Sequence, residues 1–137
     1  MSEKEIELNL PSQIESIDKA VAEAVKFASE SGFSDDALFA IDLALREAMA
    51  NAVKHGNKFD ENKDVNVTLR HLSGSLEIAV RDFGSGFAVE EVPDPTNPEN
   101  LLKANGRGIL FMRNFMDEVD WENPSGGGTI VKMVKKH

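Results

Sequence analysis

The sequence predicts an α/β (α+β) two-layer sandwich, with helices on one face of a mixed, mainly antiparallel sheet. Three observations predict it. Short runs of alternating apolar and polar residues occur in both halves of the chain, the mark of half-buried strands. Ala37 to His55 holds no Pro or Gly and much Ala and Leu, the strongest helical stretch. The 137 residues, 41% hydrophobic and 28% charged, fit one domain over residues 1–137 with a core that needs no staples.

The elements follow in chain order. Ile6, Leu8 and Leu10 alternate with Glu5, Glu7 and Asn9, a first strand. Ser12 and Glu15 have capping-box spacing and open a helix that carries Ile14, Ile17, Val21, Ala24, Val25 and Ala28. Gly32 is its stop. Ser34, Asp35 and Asp36 form a second N-cap cluster. The helix that follows is expected to end at Gly56 and Asn57 in a left-handed cap. Val65, Val67 and Leu69, then Leu76, Ile78 and Val80, read as two antiparallel strands around a tight turn at Ser73 and Gly74. Residues 88 to 105 carry Pro93, Pro95 and Pro98 with several acids, a long irregular loop of the kind that is usually functional. A helix over Ile109, Leu110, Met112, Phe115 and Met116, a strand from Val119 and Trp121, a turn at 124–128 and a strand from Thr129 to Val134 complete the order.

Composition excludes several classes of function. There is no Cys, so disulfides and Cys-based metal sites are absent, in keeping with a reducing cytoplasm. The net charge of −9 repels nucleic-acid backbones and anionic membranes. Residues 1–68 hold 14 acids and seven bases, residues 69–137 ten acids and eight bases. Any anionic ligand is therefore held by local groups. No apolar run reaches the length of a membrane span, and the first residues lack the basic and apolar regions of a signal peptide.

Several residues are out of place for packing alone. Glu47, Asn51 and His55 fall at i, i+4 and i+8, on one side of a helix, among Ala44, Ala48, Met49, Ala52 and Val53. A solvated polar stripe would look the same. The functional reading gives Glu47 a proton-accepting role and Asn51 an oxygen for a hard cation. Asp82 ends an apolar run and precedes Gly84 and Gly86. It is either a strand-end turn or a carboxylate aimed at a ligand amine such as that of adenine, with glycines that let the ligand approach. Gly106-Arg107-Gly108 before a helix suits a phosphate, with Lys103 and Asn105 just upstream, yet serves equally as a turn. Gly127-Gly128-Thr129 alone is a hairpin turn. No P-loop, kinase-fold motif set or hydrolase elbow is present.

Taken in order, the pieces carry more weight. Residues 47–56 (EAMANAVKHG) resemble the N-box of the GHKL, or Bergerat-fold, ATPases. Residues 82–87 (DFGSGF), 106–112 (GRGILFM) and 127–129 (GGT) resemble the three boxes that follow it. Within that superfamily the chain most resembles the stand-alone bacterial anti-sigma-factor serine kinases, to which residues 115–119 (FMDEV), the small size and the N-terminal strand and helix also conform.

The resemblance implies a Bergerat ATP-binding fold and a set of roles. Glu47 would be the general base. Asn51 would bind Mg²⁺, with Lys54 and His55 also at the phosphate end of ATP. Asp82 would recognise the adenine amine, with Gly84 and Gly86 allowing contact and the Thr129 hydroxyl in support. Residues 88–108 would form a lid that brings Gly106, Arg107 and Gly108 to the phosphates. The implied function is an ATP-dependent serine/threonine kinase that sequesters a sigma factor and phosphorylates a serine on an anti-sigma-factor antagonist. A cytoplasmic homodimer with no direct nucleic-acid or membrane partner is the expected form. The alternative is a nucleotide-binding regulatory module for a partner other than a sigma factor, without kinase activity.

Overall fold

The structure, a computed structural model, describes residues 4–84, 112–125 and 127–137. Five strands form one sheet: β1 (Lys4–Pro11), β2 (Asp64–Leu72), β3 (Ser75–Arg81), β4 (Glu118–Glu122) and β5 (Ile130–Lys136). Their spatial order is β1-β2-β3-β5-β4, and all four pairings are antiparallel. The expected mixed sheet is thus wholly antiparallel among the described residues. Helices α1 (Ile14–Glu30) and α2 (Asp35–Ala50) pack against each other and cover one face of the sheet.

The register places the alternating residues on that covered face. Val67 pairs with Val80 and Leu69 with Ile78, while Ile78 also faces Met133 on β5. All five are buried, together with Ile41, Leu45 and Met49 from successive turns of α2. Met112 and Met116 close the core from the other side of the chain, residues 112–115 being helical. Burying side chains of this size is worth about 1.5–3 kcal/mol each.

The local signals decide the element ends with two exceptions. Ser73 and Gly74 both have positive φ, +51° and +81°, as a two-residue hairpin turn of the right hand requires. α1 stops in a Schellman arrangement: Gly32 N donates to Ser29 O and Phe33 N to Ala28 O, each at 3.1 Å. The Ser34 hydroxyl accepts from Ala37 N and caps α2, with Asp35 and Asp36 in its first turn.

The first exception is Ser12. It does not cap α1, which has Gln13 at its N-cap position and no side-chain cap. Its buried hydroxyl donates instead to the Lys63 carbonyl and accepts from Asn57 Nδ2. The second exception is the end of the long helix. α2 stops at Ala50, and Asn51–Gly56 form a π-helical turn. Asn57 N donates to Ala52 O at 2.8 Å, the i to i−5 spacing of such a turn. The left-handed residues are Lys58 and Phe59, at φ +51° and +59°, rather than Gly56 and Asn57.

The sheet therefore has two distinct ends. One holds the π turn, the end of β3 and the start of β5. The other holds the β2–β3 turn and the end of β5, where Phe33 stacks on His137 at 3.8 Å and His137 Nε2 lies 2.9 Å from His71 Nε2. Among the described residues no helix is long and apolar enough to cross a membrane.

Candidate functional site

Asp82 is the centre of the first end. It directly follows β3 and is 6% exposed, a rare placement for a carboxylate. Its own amide donates to Thr129 O at 3.0 Å, so the strand end is tied to the entry of β5. Gly84 N donates back to Asp82 Oδ1 at 3.1 Å. Burial pushes the Asp82 carboxyl above the ordinary carboxylate range. The amides of Gly84 and Thr129 oppose that shift, as do the charges of Lys63 and Arg81.

Three glycines are packed against this carboxylate and its backbone. A Cβ on Gly56 would lie 2.3 Å from Asp82 Cγ, and one on Gly84 would lie 1.8 Å from Gly56 O. A Cβ on Gly128 would lie 2.0 Å from Asp82 O. The end of the π turn, the residues after β3 and the entry to β5 thus touch backbone to backbone. At Gly56 and Gly84 the reason for glycine is this closeness, which any side chain would prevent. Gly56 was expected to end the helix by its torsion; it ends it by contact.

The remaining predicted residues sort by element. Glu47 lies in the last turn of α2 and Asn51 opens the π turn, and both are half-buried. Lys54 and His55 are exposed. Asn51, Lys54 and His55 all lie in the π turn, so the stripe that begins at Glu47 passes from α2 into that turn. Thr129 is buried, with its hydroxyl 3.2 Å from Asn123 Oδ1. The structure so brings together Asp82, Gly84 and Thr129, with Gly128 and Gly56. It links Glu47 and Asn51 to them through the π turn, with no direct hydrogen bond among the described residues. Gly86, Gly106, Arg107 and Gly108 lie outside the described residues, as does the whole of the expected lid, residues 88–108.

Two residues of the site were not singled out from the sequence. Asn57, 2% exposed, accepts from Phe83 N through Oδ1 at 2.8 Å. Its Nδ2 donates to Ser12 Oγ and to Asp64 O at 2.8 and 3.1 Å. Only its position beside Gly56 hinted at this. Phe83 is the other: it is 39% exposed, with the Arg81 guanidinium 4.7 Å from its ring centroid. Farther along, Arg113 stands 5.5 Å from the ring centroid of Trp121, whose indole N–H is buried without a partner among the described residues.

The arrangement suits a purine nucleotide. A buried carboxylate beside bare backbone accepts an exocyclic amine and admits a flat ring at close range. Asn51 offers a neutral oxygen donor, the type that hard cations take. Among the described residues there is no group of three or more His, Cys, Asp or Glu able to hold a metal. A Mg²⁺ here would be shared between Asn51 and nucleotide phosphates, the usual manner for that ion.

Comparison with known proteins identifies the family. Residues 10–135 match the family described as histidine kinase-like ATPase domain. An anti-sigma F factor of Heyndrickxia coagulans is 38% identical over 109 residues, covering 74% of this chain and 71% of the relative. The serine-protein kinase RsbW of Bacillus subtilis is 30% identical over 127 residues, covering 88% and 79%. Among solved structures, the RsbU and RsbW domains of a Mycobacterium tuberculosis protein superpose with a TM-score of 0.71 at 18% identity. That match covers 97% of this chain and 32% of the other, so the chain spans about a third of that longer protein. The catalytic domain of the histidine kinase ThkA superposes at 0.61 with 14% identity, covering 97% of both chains. These two likenesses concern the fold. With nearly the whole sequence matched and the curated relatives aligned across most of both chains, the chain belongs to the histidine kinase-like ATPase domain family, alongside the anti-sigma F factors and RsbW-type serine kinases.

Proposed function

We propose that this protein is an ATP-dependent serine/threonine protein kinase that also acts as an anti-sigma factor. The observation that carries the reading is the buried Asp82 carboxylate, set against Gly56, at the end of the helical segment that bears Glu47 and Asn51. Its kinship with proteins named anti-sigma F factor and serine-protein kinase supports the rest.

In this reading Asp82 accepts a hydrogen bond from the adenine amine. Gly84 and Gly128 keep the backbone bare beside the base, and the Thr129 hydroxyl supports it. Asn51 would hold Mg²⁺, which would neutralise phosphate charge during transfer. Lys54 and His55 face the phosphates from the exposed side of the π turn. Gly86, Gly106, Arg107 and Gly108 complete the contacts from the neighbouring boxes. Glu47 accepts the proton of the substrate serine as its oxygen takes the γ-phosphoryl group and ADP leaves. Phosphoryl transfer demands positioning and charge neutralisation more than covalent chemistry, so an acidic protein can perform it.

The partners are a sigma factor and a small antagonist that supplies the serine. The protein works in the cytoplasm as a homodimer. The acidic surplus of residues 1–68 is a docking charge for a basic partner face, and affinity for the sigma factor then falls as salt rises.

The deciding experiment incubates the protein with labelled ATP, Mg²⁺ and each small antagonist-like protein of the same organism. One of them becomes labelled on serine. Glu47→Ala abolishes the labelling and leaves ATP binding intact. Tight ATP binding without labelling of any candidate, and without co-purification of a sigma factor, would replace this reading with that of a regulatory module.

A further inference from the structure

We propose that Asn57 is a positioning residue for base selection: its carboxamide holds the turn that aims Asp82. The proposal rests on the reading of Asp82 as the adenine-binding group.

Asn57 is one of few buried polar side chains in the described structure, and its carboxamide is engaged at both ends. The oxygen accepts from Phe83 N, and the nitrogen donates to Ser12 Oγ and Asp64 O. Phe83 N can only donate and Asp64 O can only accept. The orientation of the amide is thereby set by its partners, and a flipped carboxamide would face like with like at both ends. One side chain so joins the β1–α1 junction, the residue after the π turn, the start of β2 and the residue after Asp82.

The consequence for Asp82 is geometric. Its backbone is held on one side by its own amide, which donates to Thr129 O at 3.0 Å. On the other side the next amide, Phe83 N, is held by Asn57 Oδ1 at 2.8 Å. Gly84 N then reaches back to the carboxylate. Without the Asn57 oxygen, the Phe83 amide is a part-buried donor with no partner, and its peptide plane turns to find one. That rotation moves Asp82. Two anchors flank the carboxylate, and Asn57 supplies the one that comes from a side chain.

The role is separable from plain stabilisation because Asp82 discriminates between bases. Adenine presents an amine where guanine presents a carbonyl, which an ionised Asp82 repels. A misplaced Asp82 lowers the preference for ATP over GTP, whereas a loss of stability alone leaves the ratio of the two affinities untouched.

The test measures dissociation constants for ATP and GTP with Mg²⁺, on the full chain, for the parent, Asn57→Ala and Ser12→Ala, with thermal unfolding of each. Asn57→Ala is expected to shrink the ATP/GTP preference about tenfold, the scale of one well-placed hydrogen bond. Ser12→Ala loses the bond between Asn57 Nδ2 and Ser12, so it lowers the melting temperature. It keeps the Asn57 oxygen for Phe83 N, so it retains the parent preference. A folded Asn57→Ala with the parent's preference overturns the proposal. So does loss of preference in Ser12→Ala, which decides the matter where Asn57→Ala does not fold. A parent that binds ATP and GTP alike overturns the adenine reading itself, a result distinct from failure of the variants alone.

Discussion

The two ends of the sheet use glycine for opposite reasons. At the β2–β3 turn, Gly74 has φ +81°, and a Cβ there would meet nothing within 4 Å. Glycine is present for its torsion, and the space around it is empty. At the other end Gly56 and Gly84 do not have the left-handed torsion, yet a Cβ on either would collide at 2.3 and 1.8 Å. At these two positions glycine is present for closeness, while Gly128 beside them combines a φ of +82° with a close approach to Asp82 O. The first use concerns the unfolded chain and the turn; the second brings separate segments of the chain into contact. A glycine in the sequence thus says nothing of its purpose until its neighbours in space are known.

Substitutions at three positions test this contrast. Gly84→Ala is the most severe: its Cβ meets the Gly56 carbonyl, rigid backbone that has no rotamer to yield. A loss of about 3 kcal/mol or more in urea unfolding is expected, with nucleotide binding abolished. A variant with near-parent stability would show that the two segments separate without cost.

Asp82→Asn tests the charge at the same place. ATP affinity should fall at least tenfold by calorimetry, because the amide can turn its NH₂ toward the adenine amine. Stability should move the other way at neutral pH. A carboxyl raised above its unfolded value contributes stability that is fully present below the ordinary carboxylate range. That contribution is lost as pH rises through the raised value. The variant should therefore gain on the parent between acid and neutral pH, and the gap should close in acid. The parent's ATP affinity should also weaken on acidification from a higher pH than an ordinary carboxylate would dictate, as Asp82 takes up its proton.

Gly74→Ala is the mildest. Alanine fits the space, and only the positive φ opposes it, for about 1 kcal/mol. ATP affinity should equal the parent's. A change in affinity there would couple the two ends and remove the distinction between them.

The same contrast explains what could be read from the chain. The strands and their turn are encoded locally: Leu76, Ile78 and Val80 alternate, and Ser73 and Gly74 are turn residues. Gly32 and Ser34 likewise act within a few residues of themselves. The four boxes were legible as a resemblance, and Asp82, Gly84 and Thr129 do meet. Ser12 was misread because the capping-box spacing is local, while its hydroxyl finds a carbonyl 51 residues away. The π turn was invisible for a related reason. Nothing in residues 51–55 opposes an α-helix; Gly56 lies against Asp82, and Asn57 reaches Phe83, 26 residues along.

Trp121 closes the account with an optical consequence. The chain has one Trp and no Tyr, so its emission under long-wavelength excitation arises at a single point on β4. That indole stands under Arg113, on the helical residues that lead back toward the third box, and a guanidinium cation over an indole alters its excited state. The protein thus carries its own fluorescent gauge of how that helix end sits against the sheet.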